Sequence, residues 1–465
     1  MRSGLIFHAV GTGAIIFALV FAAKMGNAAP GISPVDARSI GLSTTATPAH
    51  NTRILENIAD NMTVLIPSGS YKINQTTFTG KSRIRIMGAG PSSKLLINNS
   101  KYGMVITRSS GITIENLYLG GTSRVALYIY DASSIKVLNN YITGATKTAS
   151  GPMAGIEVSG ASDIWIDGNY LTGNGDGLEG ESYEIVAWTG ALNNQIHIRN
   201  NTIIGTGTHK GIGLFMATNC DVIGNYVNQG NVGNLINSGY GIISYQTGKP
   251  NSHITISNNV IENTSGSGIY CANNQHVTIA GNQITNTGKG QNDATLPVGA
   301  ISLINSKYAS ISNNTISNSY ATAISLSTAS SVNVQGNTIS NSATRTNLNF
   351  FTTIHLRATA SNIEIKENIL KQNRGTCINY TIPSTSMSGI TIDNNILDDT
   401  TVAIRLGKFN DAIISNNKIS NYKNFGIHTD SGINAIITGN IFSDSTAPAL
   451  DIHSDNNVVT KNIKK

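Results

Sequence analysis

The chain has 465 residues, only 12% of them charged, with 31 Lys and Arg against 25 Asp and Glu for a formal net charge of +6. No basic run resembles a nucleic-acid patch, so that class of partner is excluded, and the mild positive balance suits an anionic polymer without demanding one. Three cysteines, Cys220, Cys271 and Cys377, form no zinc-type spacing and are expected to be buried free thiols.

Residues 1–29 read as a signal peptide. Arg2 gives a positive start, residues 14–23 are apolar, and Gly26-Asn27-Ala28 has the small-x-small form of a cleavage site. The apolar run is short for a membrane span, so no stable span is expected after cleavage, and the protein is expected to be secreted or periplasmic. Without the leader the balance is 29 basic against 25 acidic residues.

Residues 30–80 are expected to form an N-terminal cap and the lead-in to the repeat. Ile54, Leu55, Ile58 and Ala59 fall on one helical face, with Asn51 or Thr52 able to cap the start. A strand, a Pro/Gly turn and a second strand follow in Val64-Leu65-Ile66-Pro67-Ser68-Gly69-Ser70-Tyr71-Lys72-Ile73.

From residue 81 to 465 one phrase dominates. It reads Ile254-Thr255-Ile256-Ser257-Asn258-Asn259-Val260-Ile261 in one copy and Val277-Thr278-Ile279-Ala280-Gly281-Asn282-Gln283-Ile284 in the next. Its closing Asn occurs thirteen times, at 140, 169, 201, 225, 259, 282, 314, 337, 368, 395, 417, 440 and 462. The intervals run from 22 to 34 residues, the signature of a solenoid. The apolar alternation is a strand with one buried face. A Gly or Asn then allows a positive φ and a sharp corner. A single inward Asn would be poorly satisfied, whereas thirteen in register can bond from coil to coil. Three short strands and three bends fit the base period, which makes the fold all-β, a single-stranded parallel β-helix of roughly 15 coils behind a capping helix.

Together with Ile84-Arg85-Ile86-Met87-Gly88-Ala89-Gly90, the lead-in resembles that of the pectate-lyase-like superfamily of right-handed parallel β-helix proteins. The resemblance implies the right-handed fold over nearly the whole mature chain and says little about activity. The Gly-Asp-Gly-x-x-Asp-Asp phrase common ahead of the capping helix in that group is replaced by Gly41-Leu42-Ser43-Thr44-Thr45-Ala46-Thr47. The Asn-Thr-Asp and Gly-His-Gly phrases of polygalacturonase-type hydrolases and the Asp-Pro-His phrase of alginate-type epimerases are also missing.

The longer intervals carry insertions at 145–152, 173–183, 229–240, 287–297 and 342–350, all from one corner. Loops stacked on one corner wall a groove beside the next sheet. The residue after the Ile or Leu of that sheet should face outward, giving a column Tyr128, Glu157, Val186, Gly213, Ile243, Tyr270, Ser302, Ser325, His355, Asn379, Arg405, His428 and Asp451. Tyr128, Tyr240, Tyr245 and Tyr270 are candidates for stacking on sugar rings, and His355, Arg357 and Arg405 for binding carboxylates.

The densest chemistry is the run 173–184, where Asp176, Glu179, Glu181 and Glu184 crowd together with Glu157 on the preceding coil. Crowded carboxylates raise one another's pKa, as acid catalysis needs, and Asp176, Glu179 and Glu181 could instead hold Ca²⁺; the expectation is Ca²⁺ or no cofactor. His209 and Lys210 precede the next groove strand and could supply a base or a cation. Three functions follow: a lyase cleaving a uronate-containing polysaccharide by β-elimination, a glycoside hydrolase using a carboxylate pair from the 176–184 loop, or a non-catalytic glycan-binding or export component. The sugar, the linkage and the oligomeric state are left open by the sequence.

Overall fold

The computed structural model describes residues 33–98, 100–122, 124–145, 153–175, 182–188, 190–205, 209–230, 239–289, 299–343, 352–380 and 386–465. The chain divides into Met1–Pro34 and Val35–Lys465, and the fold is that of the second unit.

A helix, Pro48–Glu56, precedes the repeat. It begins earlier than expected: Thr47 is the N-cap, its side chain accepting from the His50 N–H, and Pro48 sits at the first turn, where its missing N–H costs nothing. Asn51 and Thr52 do other work. The Asn51 amide donates to the carbonyls of Ser43 at 2.8 Å and Lys72 at 3.0 Å, and Thr52 Oγ1 accepts from the Asn74 N–H at 2.8 Å. These buried bonds fasten the cap to the first coil, while Leu55 and Ile58 close its apolar end.

The solenoid starts at Thr63. Each coil contributes one strand to each of three parallel sheets. In the first coil sheet 1 takes Thr63–Ile66, edged by the cap strand Val35–Asp36, sheet 2 takes Gly69–Ile73 and sheet 3 takes Thr76–Thr79, and each pairs with its equivalent one coil on. About 15 turns stack this way. Near the C-terminus the corners no longer break the pairing, and Ile396–Ser415 and Lys418–Thr438 run continuously round them. The shortest intervals in the repeat lie there, and the pairing of these two strands shifts register between Thr400 and Val402.

The asparagine ladder forms along the corner between sheets 1 and 2. Asn259 Oδ1 accepts from the Asn225 backbone N–H at 2.9 Å and side-chain amide at 3.0 Å, and Asn259 donates in turn to Asn282 Oδ1 at 2.9 Å. The second amide hydrogen goes to the Val222 carbonyl at 2.9 Å. The pattern holds from Asn140 to Asn462. The residue before each ladder Asn is left-handed even where it is neither Asn nor Gly: Glu367 has φ 58° and Lys461 φ 54°. The corner therefore fixes the backbone, and Asn or Gly are the residues that adopt it at least cost.

The interior is a series of apolar columns. On sheet 3, Ile156, Ile185, Ile212, Ile242, Ile269 and Ile301 lie in register and are fully buried. Each such side chain stabilises the fold by about 1.5–3 kcal/mol. Cys220, Cys271 and Cys377 are free and buried. Among the described residues no helix is long and apolar enough to cross a membrane.

Candidate active site

Sheet 3 follows the corner from which the insertions leave. The expected outward column is in register throughout: Tyr128 pairs with Glu157, Glu157 with Val186, and so on through Ser325, His355, Asn379, Arg405 and His428 to Asp451. Its accessibility differs from the expectation of an open groove floor. Val186 and Ile243 form a second apolar cluster with Ala154, Tyr183 and Phe215, and Trp188, Tyr245 and Tyr270 pack against it. The rings meet edge to face, with Tyr183 and Phe215 centroids 5.7 Å apart and Phe215 and Tyr245 6.3 Å apart. A Cβ at Gly213 would come within 2.7 Å of the Tyr183 ring and 2.9 Å of the Phe215 ring. Tyr245 and Tyr270 are thus packing residues, and Tyr240, whose ring lies 5.3 Å from that of Tyr270, is buried. The rings find apolar partners on their own sheet, which removes more of their surface from water than an open groove would.

Glu157 stands just before this cluster. It is 3% exposed, and its Oε2 has no hydrogen-bond partner. Among the described residues Arg124 is the cation at ion-pair range, its Nη2 4.0 Å from Oε2. Burial raises the carboxyl pKa to about 7, against the opposing pull of Arg124 and Lys101. Aromatic rings frame it. Tyr102 and Tyr128 stack with centroids 5.2 Å apart, Tyr128 and Tyr130 at 6.0 Å, and Arg124 donates to the Tyr102 hydroxyl at 2.7 Å. The Tyr128 phenol is pushed up to about 12 by burial and by Glu157, and so remains a proton donor at neutral pH. Lys101, Tyr102, Arg124, Tyr128 and Glu157 come from three successive coils. Lys101, Tyr102 and Arg124 precede the Ile or Leu that marks the outward column, so the column does not point to them. A basic residue directly ahead of the strand in two consecutive coils was the available signal.

Glu184 lies elsewhere. It falls in the register column between Gly155 and Gly211, where an added Cβ would strike the core side chains Leu171 and Val227. Its carboxyl is fully buried in the solenoid wall and accepts from the Asn174 amide at 2.5 Å and the Asn174 N–H at 3.3 Å. Burial pushes its pKa up to about 8. Both of its carboxyl oxygens are engaged by Asn174, so it has no unpartnered oxygen to offer a substrate. His209 is also fully buried, its ring against Gly175, where a Cβ would approach to 2.6 Å. Lys210 is partly exposed, with Nζ 5.0 Å from the Tyr183 ring centre, and sits two coils beyond the Glu157 strand. Asp176, Glu179 and Glu181 lie outside the described residues, and with them the calcium site they would form.

Further along, His355 is half-buried between Ser325 and Asn379, and burial together with Arg357 lowers its pKa to about 3. Burial also lowers the pKa of Arg357. Arg405 is held in a two-pronged ion pair with Asp430, both contacts at 3.1 Å.

The family model described as right handed beta helix region matches residues 42–250 and 248–406. The chain belongs to this family. No curated protein matches it. Among solved structures, this right-handed β-helix is similar to a PL6 alginate lyase in complex with a trisaccharide, at 12% identity over 93% of this chain and 89% of that one, with a TM-score of 0.51. It is also similar to the catalytic unit of a GH87 α-1,3-glucanase from Streptomyces thermodiastaticus, at 16% identity over 94% and 70% of the two chains and a TM-score of 0.40. The A-module of the Azotobacter vinelandii mannuronan C-5 epimerase matches at 11% identity over 92% and 100%, with a TM-score of 0.42. At these identities the likeness is one of fold.

Proposed function

We propose that this protein is an exported polysaccharide lyase that cleaves a uronate-containing glycan by β-elimination. The observation that carries the reading is Glu157: a buried, outward-column carboxyl with an unpartnered oxygen and a pKa of about 7, beside a phenol and two cations. A group poised near the working pH is suited to proton transfer. The Glu157 carboxylate would take the C5 proton, and the electron pair left behind forms the C4–C5 double bond. The C4–O bond breaks, and Tyr128 gives its proton to the leaving oxygen. Arg124 and Lys101 oppose the charge of the uronate carboxylate, which acidifies the C5 proton. The fold shared with an alginate lyase supports this substrate class.

The test is incubation with a panel of uronate polymers, followed by the ultraviolet absorbance of the unsaturated product. Product from the native protein and its loss in Glu157→Gln are expected. Absence of unsaturated product on every polymer would refute the lyase reading.

A further inference from the structure

We propose that His428, Asp451 and His453 form a binding site for a divalent transition-metal ion such as Zn²⁺, one that staples the last coil to the coil before it. The site is independent of the Glu157 cluster. His428 and Asp451 are register partners on successive coils, and His453 lies two residues beyond Asp451. One ligand atom from each residue falls within 4.8 Å of the others. Two imidazoles and a carboxylate are a donor set suited to Zn²⁺, which is commonly held by three protein groups and a water.

The surroundings of His428 argue for a metal beyond this proximity. Its Nε2 donates to Asp430 Oδ1 at 2.7 Å, and Asp430 is itself held by Arg405. This is the arrangement in which a carboxylate fixes the tautomer of a metal-ligating histidine and strengthens it as a donor. With Nε2 carrying the proton, Nδ1 presents a lone pair to Asp451 Oδ2 at 2.7 Å. Asp451 Oδ1 lies 3.0 Å from His453 Nε2. Each of these carboxylate–imidazole contacts needs a proton or a cation to hold it, and a metal ion can replace the proton on both imidazoles once the ligand atoms part from their hydrogen-bond spacing. Phe425 stacks on the His428 ring at 5.2 Å and holds its orientation. His453 is 60% exposed, so it can turn to close the site and an ion can enter.

The expected result is one Zn²⁺ per chain by calorimetric titration of the full-length protein. Co²⁺ in its place should give the visible absorption of a tetrahedral nitrogen and oxygen site. His453→Ala should weaken Zn²⁺ binding at least 100-fold, and because this side chain is exposed the fold should survive. Asp430→Asn, which leaves all three ligands in place, should weaken binding about 10- to 100-fold. No Zn²⁺ binding by the native chain would overturn the proposal and leave a chain of ion pairs. Equal binding by the native protein and His453→Ala would overturn it as well.

Discussion

Arg124 approaches Glu157 from the preceding coil but stops with its Nη2 at 4.0 Å from Oε2, too far for a hydrogen bond. At that distance its attraction does not offset the loss of water around the carboxyl, so burial wins and the pKa rises to about 7. This balance places the ionisation of Glu157 near neutrality, and it can be measured.

If Glu157 removes the substrate proton, kcat/KM should climb with pH through an ascending limb centred near pH 7, as the carboxyl ionises. Glu157→Gln should lower kcat by about 10²- to 10⁴-fold while retaining the far-ultraviolet spectrum of the native protein. A flat pH profile between 5 and 9 would count against the assignment.

Glu184 should govern stability. Its pKa in the fold is about 8, above the ordinary 4.5. Below pH 4.5 it is protonated in both states and imposes no penalty. As pH rises from 4.5 to 8 the unfolded chain ionises first, so stability falls across that window and is lowest above it. At about 1.4 kcal/mol per pKa unit the effect is on the order of several kcal/mol. Glu157, raised to about 7, contributes in the same direction, so thermal melts of Glu184→Gln should lose part of the pH dependence seen in the native protein between pH 5 and 8, and in a Glu157→Gln background the same change should remove all of what remains between pH 7 and 8. Unchanged dependence would show that the carboxyl is not enclosed as described.

Removing one rung of the ladder should be costly. Asn259→Ala takes away the acceptor of two Asn225 donors, removes the amide donor to the Val222 carbonyl, and leaves Asn282 Oδ1 with the backbone N–H of residue 259 alone. At about 1–3 kcal/mol per buried group left unpaired, a loss of roughly 2–5 kcal/mol is expected in denaturant unfolding. A midpoint that does not move would mean that water replaces the rung.

The three thiols should be inert in the native state. Burial raises Cys220, Cys271 and Cys377 to about 12, so almost no thiolate exists at neutral pH. A disulfide reagent should titrate three thiols in denaturant and none without it. Fast labelling of any one of them under native conditions would place it at the surface.

The sequence by itself determined the coil. Each corner needs a left-handed residue followed by an inward amide, and each strand needs one apolar face. These demands are local, recur every coil, and are written into adjacent residues, so thirteen copies specify the ladder and its register. The departures from the period also marked the loop corner. What the sequence could not determine was which outward residues are covered and which meet. Val186 and Ile243 share a column with Glu157, yet they vanish under Tyr183, from the strand that carries Val186 itself, and Phe215, which follows the strand of the next coil. Glu184, two residues from Val186 in the chain, is fully buried in a column that Gly155 and Gly211 occupy on the coils either side. His428, Asp451 and His453 have no recognisable ligand spacing along the chain, and Lys101, Arg124 and Glu157 come from different coils. Burial, pKa and ligand geometry arise from contacts between coils, and only the stacking of one coil on the next decides those.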